Sequence, residues 1–149
     1  MYHLNSNEVI EVGPGKGRLT EFLARATQAL TLVEVDYNLW RRLQEQYRSN
    51  KQVKVHCGDF MDYELPSEDY VVVSNLPFFL ARTILLKLLK APRRPKAIYV
   101  VVQEDLYHQL RKLTLAHRFN IKVLHAFRRA DFEPIPRVES VFVQILPVD

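Results

Sequence analysis

With 149 residues, 48% of them hydrophobic, the chain is long enough to bury a core and too apolar to belong to the disordered class. Its formal net charge of +4 is compatible with a polyanionic partner such as nucleic acid, although a mildly basic solvated surface needs no partner at all. The single cysteine, Cys57, excludes an internal disulfide; no apolar run reaches the ~20 residues of a bilayer span, and the first residues lack a secretory apolar region, so a cytoplasmic protein is the default expectation.

Apolar runs alternate with amphipathic ones along the chain. Val9 to Val12 predicts a buried strand, followed by the turn Gly13-Pro14-Gly15-Lys16-Gly17 and a helix whose apolar face is Leu19, Phe22, Leu23 and Ala26. Leu30 to Val35 predicts a second strand, and Leu39, Leu43 and Tyr47 a second helix. Val53 to Val55 is a third strand, Tyr70 to Val73 a fourth, and Leu80 to Leu89 a helix stopped by Pro92 and Pro95. Ile98 to Val102 is a fifth strand and Leu106 to Leu113 a helix. Phe119 to Phe127 and Ser140 to Ile145, joined by a proline loop, complete the pattern as two strands with no clear helix between them. Alternating strands and helices with apolar strands imply an α/β fold with a mostly parallel sheet covered on both faces, and the last two strands an antiparallel pair at one edge.

Three of the four glycines lie in the turn after the first strand, where a helix N-terminus presents free N–H groups and a ligand can approach the backbone closely. Glu34 ends the second strand, where a carboxylate can accept both hydroxyls of a ribose; Asp59 follows the third, where one can accept from an adenine amino group. Val35 and Phe60, beside these carboxylates, are counted with them. The spacing G-x-G-x-G departs from the dinucleotide pattern G-x-G-x-x-G, and Glu11 at the strand end would crowd a pyrophosphate. Glu11 can instead orient the turn or meet the cationic amino-acid end of S-adenosylmethionine. The cofactor site expected is therefore Glu11, Gly13, Pro14, Gly15, Gly17, Glu34, Val35, Asp59, Phe60 and Asn75, with S-adenosyl-L-methionine as cofactor. A nicotinamide or flavin cofactor and a purely structural turn remain as alternatives.

The fourth strand runs into Asn75-Leu76-Pro77-Phe78. An adenine amine is a poor nucleophile because its lone pair is delocalised into the ring. The Asn75 side-chain carbonyl and the Leu76 backbone carbonyl can hold its N–H groups, Pro77 stiffens the turn, and Phe78 can stack on the base, a contact worth about 1–3 kcal/mol. Alternatively, the tetrapeptide is only a strand end followed by a helix start. On the proline loop, Phe132 is either a wall of a base pocket, of the kind enzymes acting on extruded bases use, or a core anchor at the sheet edge. Arg41, Arg42, Arg93, Arg94, Lys96, Arg128, Arg129 and Arg137 are candidate phosphate contacts, the last three Arg with added weight as neighbours of Phe132. The histidines show no metal-ligand spacing with Cys57, so no metal is expected.

Together these segments resemble the ribosomal RNA adenine N6-dimethyltransferases: E-V-G-P-G-K-G at 11–17, V-E-V-D at 33–36, G-D at 58–59, N-L-P-F at 75–78, V-V-Q-E at 101–104 and F-x-P-x-P-x-V-x-S at 132–140. The resemblance implies a Rossmann-like S-adenosylmethionine-dependent methyltransferase fold with a seven-stranded sheet, and a catalytic domain over 1–149. It implies Glu11, Gly13 and Gly15 at the methionine end of the donor, Glu34 at its ribose and Asp59 at its adenine. Asn75, Leu76, Pro77 and Phe78 would form the catalytic turn, and Phe132 would contact the target adenine. Ribosomal RNA would be the partner, with no membrane and a monomeric enzyme. The short stretch from Gln103 to Phe119 and the segment Arg-Arg-Ala-Asp-Phe at 128–132 are more similar to the erythromycin-resistance methylases of the large subunit than to the small-subunit dimethylases, which are the main rival. A non-catalytic RNA- or polymerase-binding relative is a further alternative. The family's aromatic- and glutamine-containing segment before the first strand has no match in the eight residues preceding Val9, and its helical domain after the last strand is expected to lie outside these 149 residues.

Overall fold

The computed structural model describes residue 4 and residues 8–148, which form seven strands in the sheet order β3-β2-β1-β4-β5-β7-β6. The chain divides into two compact units, one ending at Asn75 and the other beginning at Leu76.

The first unit holds β1 (Glu8–Val12), α1 (Arg18–Ala26), β2 (Leu30–Glu34), α2 (Tyr37–Gln46), β3 (Val53–Cys57) and β4 (Tyr70–Asn75). All pairings are parallel: β1 lies between β2, with Val9 opposite Leu30, and β4, with Ile10 opposite Val72, while β2 pairs with β3 from Leu30–Val53 to Glu34–Cys57. Residues 9–12, all of β2 and Tyr70 to Ser74 are buried without alternation, as parallel strands covered on both faces require. Asp36 caps α2 by accepting from the backbone N–H of Asn38 at 2.8 Å and Leu39 at 3.0 Å.

The α1 face differs from the one the apolar spacing predicts. Phe22 is 68% exposed and Ala26 is exposed, whereas Thr20 and Leu23, and Thr27 just beyond the helix, are buried. The two threonines occupy that face because each hydroxyl has a buried acceptor: Thr20 donates to Glu11 Oε2 at 2.7 Å and Thr27 to the Leu23 carbonyl at 2.8 Å.

The second unit holds α3 (Phe78–Lys90), β5 (Ala97–Gln103), α4 (Glu104–Arg111), β6 (Phe119–Phe127) and β7 (Ser140–Pro147). β7 runs antiparallel to both β5 and β6, and alternates inward Val141, Val143 and Ile145 with less buried residues. β6 is mostly exposed and shifts register between Val123 and His125, the kind of irregularity that interrupts a sheet edge. The helix predicted to reach Leu113 stops at Arg111, and a short 3₁₀ segment that periodicity did not predict, Thr114–Arg118, leads into β6. Among the described residues no helix is long and apolar enough to cross a membrane.

Candidate active site

The chain leaves β1 towards β2 and β3 and returns to pair β4 on the other side of β1, so the strand order reverses between β1 and β4. Open α/β sheets bind ligands at such a point, beyond the carboxyl ends of the strands. Here the Ser74 hydroxyl donates to the Val12 carbonyl at 2.5 Å, tying the end of β4 to the end of β1. Beyond that tie lies a cleft of about 340 Å³ lined by Glu11, Gly13, Pro14, Gly15, Lys16, Arg18, Leu19 and Asn75. The predicted turn and the predicted Asn75 therefore share one cavity. Lys16, Arg18 and Leu19 were not predicted; the position of Lys16 within the glycine turn and of Arg18 and Leu19 in the first turn of α1 was the available signal.

The turn depends on glycine. Gly15 has φ +59°, and a Cβ there would meet nothing within 4 Å, so its face is open to a ligand. Gly17 has φ +82°, and a Cβ would lie 3.0 Å from Leu43 Cδ2; Gly17 serves packing beneath the turn and does not line the cleft.

Glu34 is 4% exposed and latches the turn: Oε2 accepts from the Gly15 N–H at 3.0 Å and Oε1 from the Asp36 N–H at 2.9 Å. Each oxygen keeps acceptor capacity for one more donor. Glu11 is 2% exposed, and its carboxyl is pushed up from 4.5 to about 7, first by burial and then by the nearby Glu34 charge, against the opposing Thr20 hydrogen bond.

Gly58 donates to the Glu34 carbonyl at 2.9 Å, which places the loop after β3 beside the end of β2. In that loop Asp59 is exposed; its Oδ1 accepts from the Met61 N–H at 2.8 Å. Phe60 is buried, with its ring stacked 5.9 Å from Tyr63, and Val35 is 66% exposed. Glu34, Val35, Asp59 and Phe60 lie along this same strand-end edge but do not wall the cleft itself.

In the second unit, Leu76 is buried, Pro77 half-buried and Phe78 67% exposed. The Pro77 carbonyl accepts from Leu80 at 3.0 Å and Ala81 at 2.9 Å, so the proline begins α3. Phe79 is 72% exposed and meets Phe78 edge to face at 5.7 Å. Phe132 is half-buried with its ring 5.3 Å from Phe127, an anchor of the proline loop on β6. Arg128 pairs with Asp131 at 3.2 Å, and the Arg128 N–H is the main cause holding the Asp131 carboxyl below its usual range. Arg129 donates to the Arg137 carbonyl at 3.4 Å and faces Glu139 at 3.7 Å. Solvent screens these exposed pairs and leaves the guanidiniums accessible. No group of three His, Cys, Asp or Glu among the described residues is placed to hold a metal.

A mostly parallel sheet with an antiparallel edge and a glycine-turn cleft at the strand reversal defines the Rossmann-like methyltransferase class. The crystal structure of the 23S rRNA methyltransferase ErmE is similar, with a TM-score of 0.85 and 26% identity over 98% of this chain and 64% of that one. The family model for ribosomal RNA adenine dimethylases matches residues 2–149, and the chain belongs to that family. Two relatives are a ribosomal RNA small subunit methyltransferase A of Sulfurimonas denitrificans, 40% identical over 66% of this chain, and an rRNA adenine N-6-methyltransferase of Escherichia coli, 30% identical over 94%. The matches span 39% and 60% of those relatives' own lengths.

Proposed function

We propose that the chain is the methyl-transferring part of an S-adenosylmethionine-dependent rRNA adenine N6-methyltransferase. The observation that carries this is the single cleft shared by the glycine turn and Asn75. Its size falls at the low end of small-molecule sites, about 300–1,000 Å³, and the bare face of Gly15 leaves room for close approach. Lys16 and Arg18 line the cleft together with Glu11, and these two cations suit the carboxylate of the donor's amino-acid end.

When bound, S-adenosylmethionine supplies an electrophilic methyl group on its sulfonium. Glu34 would accept hydrogen bonds from the ribose hydroxyls while keeping its hold on the turn, and Asp59 would accept from the donor's adenine amine, with Val35 and Phe60 beside them. The Asn75 side-chain carbonyl and the Leu76 carbonyl hold the target amine's hydrogens, which favours a pyramidal nitrogen with its lone pair free to attack. The N–C bond would form as the methyl's C–S bond breaks, with the sulfur leaving as a neutral thioether and one N–H proton passing to solvent. Phe78, exposed at the start of α3, stacks on the target base. Phe132 stiffens the loop carrying Arg137, and Arg128, Arg129 and Arg137 meet RNA phosphates. Catalysis is by positioning and electrostatics, without a covalent enzyme intermediate.

For the target we favour an adenine of large-subunit (23S) rRNA, whose methylation would block macrolides and lincosamides. The short α4-to-β6 stretch and the likeness to ErmE support this. The 40% identity to a small-subunit methyltransferase supports the 16S-type alternative. We take the protein to act as a monomer in the cytoplasm, which is consistent with a ribosomal target.

The test is incubation with labelled S-adenosylmethionine and bacterial ribosomal RNA, followed by mass spectrometric mapping of the adenine and its methyl count. Asn75→Ala is expected to lower kcat by about 10²–10³-fold, the size of effect when one preorganised polar group at a reacting centre is removed, with RNA affinity retained. Label appearing nowhere on adenine, or an unaffected Asn75→Ala variant, would overturn the proposal.

A further inference from the structure

Residues 106–130 contain no Asp or Glu, although 17 acids in 149 residues would place about three there. The same stretch carries Arg111, Lys112, Arg118, Lys122, Arg128 and Arg129, and three of the five histidines. It spans most of α4, the 3₁₀ segment and β6.

The structure gathers part of this stretch around a cavity of about 320 Å³ lined by Arg111, Ala116, His117, Phe119, Asn120 and Ile121. The Arg111 guanidinium is propped by Tyr107, one turn earlier on α4. It lies 5.9 Å from the ring centroid, and Nη1 donates to the hydroxyl at 3.5 Å. His117 Nδ1 lies 2.6 Å from the Thr114 carbonyl oxygen. A carbonyl only accepts, so that nitrogen carries the proton and Nε2 is left for another partner. Arg94, from the loop before β5, lies over the Phe119 ring at 5.5 Å from its centroid.

No carboxylate lines this cavity, and among the described residues Arg111, Lys112, Arg118 and Lys122 form no ion pair. Surface cations are ordinarily interspersed with acids. A concave site whose one lining cation, Arg111, has no counter-charge keeps an unneutralised positive potential, which attracts anions. Solubility alone would explain the charge but not the propped arginine or the cavity.

We propose that this notch holds a phosphate of the RNA backbone, with Arg111 as the principal cation and the Asn120 side-chain amide as a flanking hydrogen-bond donor. The inference rests on the RNA-methyltransferase function proposed above and adds a contact on elements that do not line the glycine-turn cleft. It is a contact for affinity and register, not for methyl transfer.

The salt dependence of binding tests it. Each phosphate contact on a single strand contributes about 0.7 to the slope of log affinity against log salt. Arg111→Gln is therefore expected to lower the slope by about 0.7 and weaken binding about fourfold near 0.15 M salt, read by anisotropy with a fluorescein-labelled single-stranded RNA. Methylation at saturating RNA should be unchanged. Arg111→Lys, which keeps the positive charge, is expected to keep the slope, which separates loss of the charge from misfolding. Arg48→Gln removes one positive charge from an exposed site after α2 and is expected to leave the slope unchanged.

A slope equal to wild type in Arg111→Gln, or equal losses in Arg111→Gln and Arg48→Gln, would overturn the site. A wild-type chain that binds no RNA overturns both the site and the enzymatic function. RNA binding without adenine methylation overturns the function and, with the predicted slopes, keeps the site as an RNA contact.

Discussion

Consider Glu11→Gln, which keeps the side chain's length and an oxygen for the Thr20 hydroxyl but removes the titrating proton. In the folded protein Glu11 is 2% exposed and its carboxyl is raised from 4.5 to about 7, burial being the largest cause. The folded state therefore holds this proton more tightly than the unfolded chain. Its contribution to stability is fully present below pH 4.5, is lost as pH rises towards about 7, and stays lost above. At ~1.4 kcal/mol per pH unit the interval amounts to about 3 kcal/mol, or about 6–12 °C in Tm at about 2–4 °C per kcal/mol for a chain of this length. A glutamine does not titrate, and whatever its amide costs is the same at every pH. Thermal melts of both proteins followed by circular dichroism from pH 4 to 8 should show the variant gaining on the wild type by that amount, with the change complete near pH 7. A difference that stays flat across this range, or that grows towards acid, would refute the claim that burial holds Glu11 protonated.

Two further predictions concern the turn. Glu34→Gln replaces one accepting oxygen with a donor, so the Gly15 or Asp36 N–H loses its partner; about 1–3 kcal/mol of stability should go, read by urea denaturation, and calorimetry should show weaker S-adenosylmethionine binding. Gly17→Ala combines about 1–2 kcal/mol for a left-handed backbone with a Cβ 3.0 Å from Leu43, whereas Gly15→Ala meets open space and carries the backbone cost alone. Urea midpoints should therefore rank Gly15→Ala above Gly17→Ala, and equal midpoints would contradict the packing role given to Gly17.

Much of the first unit was legible because buried parallel strands are written as unbroken apolar runs: Val9 to Val12 and Tyr70 to Val73 could hardly be anything else. The glycine turn was legible for a related reason, since alternating left-handed positions leave few other residues possible. The α1 face was not. Phe22 looked like core and Thr20 was not counted in the buried face, because helical spacing counts apolarity and cannot know that Glu11, nine residues earlier, supplies a buried acceptor. Lys16, Arg18 and Leu19 were missed because charged and apolar residues opening a helix are unremarkable until the strand reversal puts a cavity in front of them. The 3₁₀ segment Thr114–Arg118 was missed because so short a piece has too few residues to show a period. The residues proposed for the substrate side were legible as types, while their neighbours were not: the contact between Phe132 and Phe127 and the pairing of Arg128 with Asp131 depend on how the proline loop folds back on β6.

A loop with three left-handed glycines would wander if left to itself, since glycine has more conformational freedom to lose than any other residue. The Glu34 carboxylate takes that freedom away before any ligand arrives, by gripping the Gly15 amide from the neighbouring strand. An incoming nucleoside thus meets a receptor already in shape and gives up little of its interaction energy to ordering the backbone. Losing that one side chain would turn a preset cradle into one that each arriving molecule must assemble afresh.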